Sequence, residues 1–322
     1  METTMTTIHR LLLLMIVTVG LTLVLSSMSY AQSGDLYRLD LGSKLLSDVQ
    51  TALPERSAVN ESFLAEDYSP NLTFSEDAQL AVTFIDEGAG YRNSLGYFEY
   101  NSGAFDGLTF GDIDQNRNGN ISFNELNAVD GVEADIMFSN FSKQGAGGSL
   151  QYGDTLVVGG GTLDVNADGL EMEGGKVFQA GSNVGFFVSA NAWNGSGVKG
   201  VDQSGDPANY FSMDFLNPEA GASATLGDAG SVSRHTAMMF ADASMDAVLV
   251  GFEDLRRPGG DNDFNDAVFL VQSNPIEALQ GNSLEIATAP GSNMGGGMAT
   301  GFAGMLMGGG FWRRRRKVKL AN

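Results

Sequence analysis

The sequence has no cysteine, which rules out disulfides, thiolate nucleophiles and cysteine-ligated metals. Histidine is almost missing too: of the 2 present, His9 lies in the N-terminal leader, which leaves His235 in SVSRHTAMMF. One histidine is a poor basis for zinc. With no G-x-S-x-G elbow and no G-x-x-x-x-G-K-[ST] loop, serine-triad and P-loop chemistry find no support. His235 is read as a structural or surface residue. Positive charge is the third scarcity: Lys and Arg number 18 against 39 Asp and Glu, and six of the basic residues fall in the last ten positions. Between residues 32 and 312, 11 basic residues face 38 acidic ones, a net charge of −27. So negative a surface repels nucleic-acid phosphates and anionic headgroups, and nucleic acid is not an expected partner.

What is present is glycine (43), phenylalanine (20) and 43% hydrophobic residues. That much apolar material points to a packed core, unlike a disordered acidic chain. A compact acidic chain repels itself unless cations intervene, and calcium favours clustered carboxylate and carbonyl oxygens. Calcium is therefore the expected cofactor.

The two ends suggest export. Arg10 precedes LLLLMIVTVGLTLVLSSMSYA, and the small-x-small site Ser29-Tyr30-Ala31 completes a secretory signal peptide over 1–31. A retained membrane anchor is the alternative, given the length of the run. Met294 to Trp312 carries no charge and is followed by RRRRK, so 294–322 reads as a hydrophobic tail with a basic stop, the one expected membrane contact. A flexible basic tail is the alternative there. The expected location is the cell surface or the extracellular space.

Between the ends, residues 32–79 form an N-terminal segment with a helix over Ser43–Leu53, stopped by Pro54. Then short β-branched and aromatic runs appear at 80–100, 153–165, 185–193, 246–254 and 266–272, cut by Gly, Asn and Asp turns. The pattern predicts a mainly β fold, a jelly-roll-like β-sandwich with a short EF-hand-like insertion and an N-terminal helix. The expected divisions are a β region at 80–169, a second domain at 170–273 and a linker at 274–293.

Three clusters invite metal. In DQNRNGNISFNE the ligand positions of an EF-hand loop fall on Asp114, Asn116, Asn118, Asn120, Ser122 and Glu125, with Gly119 at the sharp turn. Its incoming helix, FDGLTFGDI, is short and holds two glycines. Asp114 and Glu125 are the carboxylates among those six ligand positions, and Asp112 lies nearby, so affinity is expected in the weak extracellular range of about 10⁻⁴ to 10⁻³ M. The alternative is an Asn/Gly-rich surface turn. DVNADG, Asp164 to Gly169, is a half-loop without the twelfth-position acid, either a calcium turn or an Asx-turn. Third, GFEDLRRPGGDNDFNDAVFLV gathers Glu253, Asp254, Asp261, Asp263 and Asp266, acids that repel unless they share a cation or cap amides. Arg256 and Arg257 are expected to compensate only in part.

The run G-F-E-D-x(6)-D-x-D-F-N-D-A-V-F resembles the motif that ends the DUF 4114 domain family of bacterial exported and surface proteins. GKVFQAGSNVGFFVSANAW, NYFSMDFLNPE and RHTAMMFAD resemble its earlier strands, and 170–273 is the expected extent. The tail resembles C-terminal sorting tails of Gram-negative exported proteins, with Ala289-Pro290-Gly291 where the best-known version has Pro-Glu-Pro. The resemblance implies an exported, calcium-associated β-sandwich, often attached to adhesin-like architectures, with no established reaction. The expected function is non-enzymatic adhesion or recognition at the cell surface, with a surface glycan or protein as partner. A structural envelope component is one alternative. A carbohydrate-active enzyme using Glu253 and Asp254 is another. Trp193, with Tyr210 and Phe211 beyond it, is either a sugar platform or packing.

Overall fold

A computed structural model describes residues 34–59, 72–166, 169–199, 208–228, 230, 232–240, 247–280 and 284–285. The expected signal peptide at 1–31 and tail at 294–322 lie outside the described residues. Among the described residues no helix is long and apolar enough to cross a membrane.

Glycine, asparagine and aspartate turns cut the apolar runs into short strands. The chain opens with β1 (Tyr37–Arg38) and helix α1 (Gly42–Ala52), one residue from its expected bounds. Strands β2 (Leu72–Phe74), β3 (Gln79–Asp86) and β4 (Ser94–Tyr100) follow. Two one-turn helices, α2 (Phe110–Ile113) and α3 (Phe123–Asn127), precede β5 (Val132–Phe138). Then come β6 (Asp154–Val157), β7 (Thr162–Asn166), β8 (Gly169–Glu173) and β9 (Asn183–Ser189). The last group is β10 (Asn209–Phe211), β11 (Thr236–Phe240), β12 (Val248–Phe252), β13 (Ala267–Asn274), β14 (Leu279–Gln280) and β15 (Leu284–Glu285).

Two sheets form a β-sandwich, as expected. One runs β1-β6-β3-β13-β12-β11-β15 and the other β14-β2-β9-β4-β5, with β10 paired to β9. Between them Val82, Phe84, Val250 and Phe269 of the first sheet meet Phe74, Leu95, Phe138 and Phe186 of the second. Because alternate residues face opposite ways, each sheet also has an apolar outer face. On the first, Ala81, Leu249 and Leu270 pack under Leu45 and Val49 of α1 and under Leu163 and Met172 of the β7–β8 hairpin. On the second, Phe98, Ile136 and Phe187 pack under Phe110, Ile121, Phe123 and Leu126 of the β4–β5 connection. The EF-hand-like segment therefore covers a sheet face, and strands apolar on both sides read as unbroken hydrophobic runs.

The domain divisions need correction. β3 pairs with β13, and β4 with β9, so the expected boundary at 169–170 runs through both sheets. The expected linker at 274–293 begins inside β13, and β14 and β15 pair with β2 and β11. Strand pairing here is long-range, and local composition carries no record of which strand a run will join.

Two glycines inside strands have a steric reason. Gly96 lies directly opposite Phe187, and Gly185 opposite Phe98. Each ring covers the facing glycine, where an added Cβ would collide with it. We expect Gly185→Ala to destabilise by about 1–3 kcal/mol through overpacking. The check is a lowered urea midpoint, with Gly90→Ala, whose Cβ would meet nothing within 4 Å, as a neutral control.

Candidate metal centre

Strand β12 ends at Phe252 and β13 begins at its partner Ala267, so the 253–266 connection starts and finishes at one place. The pairing sets Glu253 and Asp254 beside Asp266, whose Oδ2 accepts the Asp254 amide at 2.8 Å. Within the connection Asn262 (φ 59°) and Phe264 (φ 57°) adopt left-handed backbone. Phe264 is buried in the α1 layer, and this anchorage turns Asp261 and Asp263 back toward Glu253. Two triads result, Glu253–Asp254–Asp266 and Glu253–Asp261–Asp263, each with one carboxylate oxygen per residue within 4.8 Å of the others. The structure thus brings together all five acids singled out in the sequence. Glu253, Asp254, Asp263 and Asp266 are buried and Asp261 is exposed.

These carboxylates have amide partners and few others. Asp263 accepts from the Arg56 and Asn265 amides at 2.8 and 3.2 Å. The Asn93 side chain donates to Asp254 Oδ2 at 2.6 Å. Glu253 Oε1 accepts the Leu255 amide at 3.3 Å, and its Oε2 is buried with no hydrogen-bond partner. Among the described residues no ion pair reaches any of the five. Arg257 bonds Asn262 Oδ1 and the Arg234 carbonyl, stacks over Phe264 at 4.9 Å and feels the charge of Glu253 from beyond ion-pair distance.

Burial is the main reason the carboxyls hold protons tightly, with mutual repulsion second. Glu253 is pushed up to about 7, by burial and then by Asp261, Asp263 and Asp254. Burial and the neighbouring charges also raise the Asp254 and Asp266 pair, and burial raises Asp263.

Sequence reasoning missed two participants. Glu87, at the end of β3, is 1% exposed, leaves Oε1 unpartnered and is raised to about 7, chiefly by burial with Asp254 among the lesser causes. Asn93, just before β4, ties Asp254 to the second sheet. Nothing in FIDEGAGYRNS marks either, because it is the β3–β13 pairing that carries Glu87 to the cluster. Two clefts flank it. One, of about 420 Å³, is lined by Tyr91, Asn191, Lys199, Tyr210, Asp254 and Arg256. The other, of about 500 Å³, is lined by Leu53, Glu55, Asp86, Glu87, Lys143 and Asn265.

His235 is fully buried, stacked on Tyr210 at 4.1 Å. Its Nδ1 lies 2.9 Å from the Glu253 carbonyl and its Nε2 3.2 Å from Glu219. Tyr210 and Phe211 are both buried, which fits packing and removes them as an exposed sugar platform. Trp193 is half-buried in a bridge to Val198.

The EF-hand-like loop closes on itself. Asp114 accepts the Asn118 and Gly119 amides at 3.1 and 2.8 Å. Asn116 and Asn118 each accept the amide two residues on, forming successive Asx turns. Glu125 accepts the Asn116 amide through Oε1, and the Ser122 amide and hydroxyl through Oε2. Left-handed backbone at Arg117 (φ 59°) and Gly119 (φ 77°) makes the bend. Asn120 points outward, accepting the Asn209 amide of β10 at 2.9 Å. Asp112 is turned away as a cap on Thr109. Around the ring, the oxygens of Asp114, Asn116, Asn118, Ser122 and Glu125 keep lone pairs beyond those the amides use, so the donor set suits a hard cation. The half-loop at Asp164 differs: Asp164 and Asn166 belong to β7, paired with Glu171 and Gly169 of β8, and 167–168 lie outside the described residues.

Comparison with known proteins adds one family. Residues 178–274 match the model of a domain of unknown function (DUF4114). That segment holds β9 to β13 and the whole acidic connection, but neither β3–β6 nor the loop at 114–125. No curated protein and no solved structure matches the chain.

Glu253 and Glu87 keep a proton in the folded chain up to about pH 7, against 4.5 for an ordinary Glu. A raised native pKa contributes stability that is complete at low pH and lost as pH rises through that interval. In the presence of a chelator the protein should therefore lose stability between pH 5 and 7.5, and Glu253→Gln should lose less. Urea midpoints across that range are the check.

Proposed function

We propose that this chain is an exported, non-enzymatic β-sandwich module that binds calcium and acts in adhesion or recognition at the cell surface. The observation that carries the calcium reading is Glu253, a buried carboxylate with an unpartnered oxygen, within 4.8 Å of two other buried carboxylates. Buried anions without cationic partners are costly, and a hard divalent ion with oxygen ligands answers that cost. Glu253, Asp254, Asp261, Asp263 and Asp266 are the proposed ligands at the strand junction. Asp114, Asn116, Asn118, Ser122 and Glu125, with the Asn120 carbonyl, are the proposed ligands of a weaker loop site.

The non-enzymatic reading is supported by burial. Of the two carboxylates in the enzyme alternative, Asp254 lines one flanking cleft and Glu253 lines neither, so the pair is not presented together to a substrate entering either one. Adhesion rests on the family resemblance and on export, and the partner class proposed is a surface glycan or protein.

Ligand binding to the native state alone adds about 1.4 kcal/mol at tenfold excess over Kd, so calcium should raise the melting temperature of the stripped full-length chain. Asp263→Ala with Asp266→Ala should abolish most of that rise, whereas Asp114→Asn with Glu125→Gln should remove one weak equivalent and little of it. Calorimetric titration followed by scanning calorimetry is the test. A chain that binds no calcium at millimolar concentration ends this reading. Glycan and cell-binding screens with and without chelator then test the adhesion part.

A further inference from the structure

The five acids do not form one set. They form two triads that share a single residue, Glu253. Calcium–oxygen distances run to about 2.6 Å, so two oxygens on one ion stand at most about 5 Å apart. The three oxygens of each triad all lie within 4.8 Å of one another, inside that limit. We infer that the β12–β13 connection holds two calcium ions rather than one, with the Glu253 carboxylate bridging them. This rests on the calcium reading above and specifies its architecture.

Three observations support the bridge. Glu253 is fully buried, its Oε2 has no partner and its Oε1 takes one long amide bond, so both oxygens retain donor capacity. Space is set by glycine: an added Cβ at Gly260 would meet Glu253 Oε1 at 2.5 Å, so the loop passes close over this carboxylate only because no side chain intervenes there. Charge supplies the third: five ionised carboxylates carry −5, one divalent ion leaves −3 and two leave −1. Arg257, which feels the charge of Glu253, offsets one unit at most, so with four of the five acids buried one ion leaves about −2 and two leave the set near neutral.

The two ions would have different duties. Asp254 and Asp266 sit on the ends of β12 and β13, so the ion between them clamps a strand junction. Asp261 and Asp263 belong to the loop, and their ion folds that loop against Glu253. Loss of the first should lower the melting temperature more than loss of the second.

The experiment counts calcium by equilibrium dialysis against the labelled ion, in the full-length chain carrying Asp114→Asn and Glu125→Gln so that the EF-hand-like loop is silent. Relative to that background, Asp261→Asn should lose one equivalent, Asp266→Asn one, and Glu253→Gln two. Asp261 is exposed, so its variant folds whatever the others do, and near-UV circular dichroism checks each. If all three lose one equivalent, or Asp261→Asn loses none, the shared site is overturned and the calcium reading stands. A background chain that binds no calcium overturns both.

Discussion

Like-charge repulsion at the β12–β13 junction is the constraint to which the rest of the molecule answers. Two unit charges within 4.8 Å of one another repel by about 3.5 kcal/mol or more at an effective dielectric constant of 20. The three pairs within the buried Glu253–Asp254–Asp266 triad then total about 10 kcal/mol, comparable with the whole stability of a typical domain. A triad fully ionised and without a cation is therefore not an accessible ground state. Protons or metal ions have to enter, and calcium is a hard cation that suits carboxylate oxygens.

The fold tolerates this concentration of charge because it is heavily buried elsewhere. Both sheets are covered on both faces, one by α1 and the β7–β8 hairpin, the other by the β4–β5 connection. Chain that leaves a strand can then turn only at the ends of the sandwich, and the 253–266 connection does so where the two sheets meet. Asp254 takes part in that closure, since Asn93 of the second sheet donates to it. One carboxylate thus serves both as an inter-sheet tie and as a member of the acidic set.

Much of the architecture was legible because it rests on local pattern. Leu45, Val49 and Ala52 recur at helical spacing and become the buried face of α1. The β-branched and aromatic runs become β3, β4, β9, β12 and β13. What was hidden is long-range. The partition into 80–169 and 170–273 fails because β3 completes the sheet of β13, and the linker reading of 274–293 fails for the same reason at β14 and β15. At the site, the GFED and DFND acids could be grouped from spacing alone. Glu87 and Asn93 could not, since they lie more than a hundred and fifty residues away and arrive through pairing.

The two acidic motifs also differ in what they lack. In the loop at 114–125 each carboxylate accepts at least two donors from its own turn, so a cation would add to an arrangement already closed by amides. At the strand junction Glu253 Oε2 is orphaned, and Asp254 and Asp266 face each other. On the calcium reading proposed above, the dependence of the fold on an ion belongs to the junction, although the loop carries the more familiar motif. Both are fastened to one end of the second sheet. Asn120 of the loop accepts from Asn209, whose side chain accepts from Ser189 of β9. Ser189 in turn pairs with Ser94, next to the Asn93 that holds Asp254. A connection that settles onto this end braces the strands to which Asn93 ties the acidic set, which gives a physical reason for the loop to sit in this connection rather than in another.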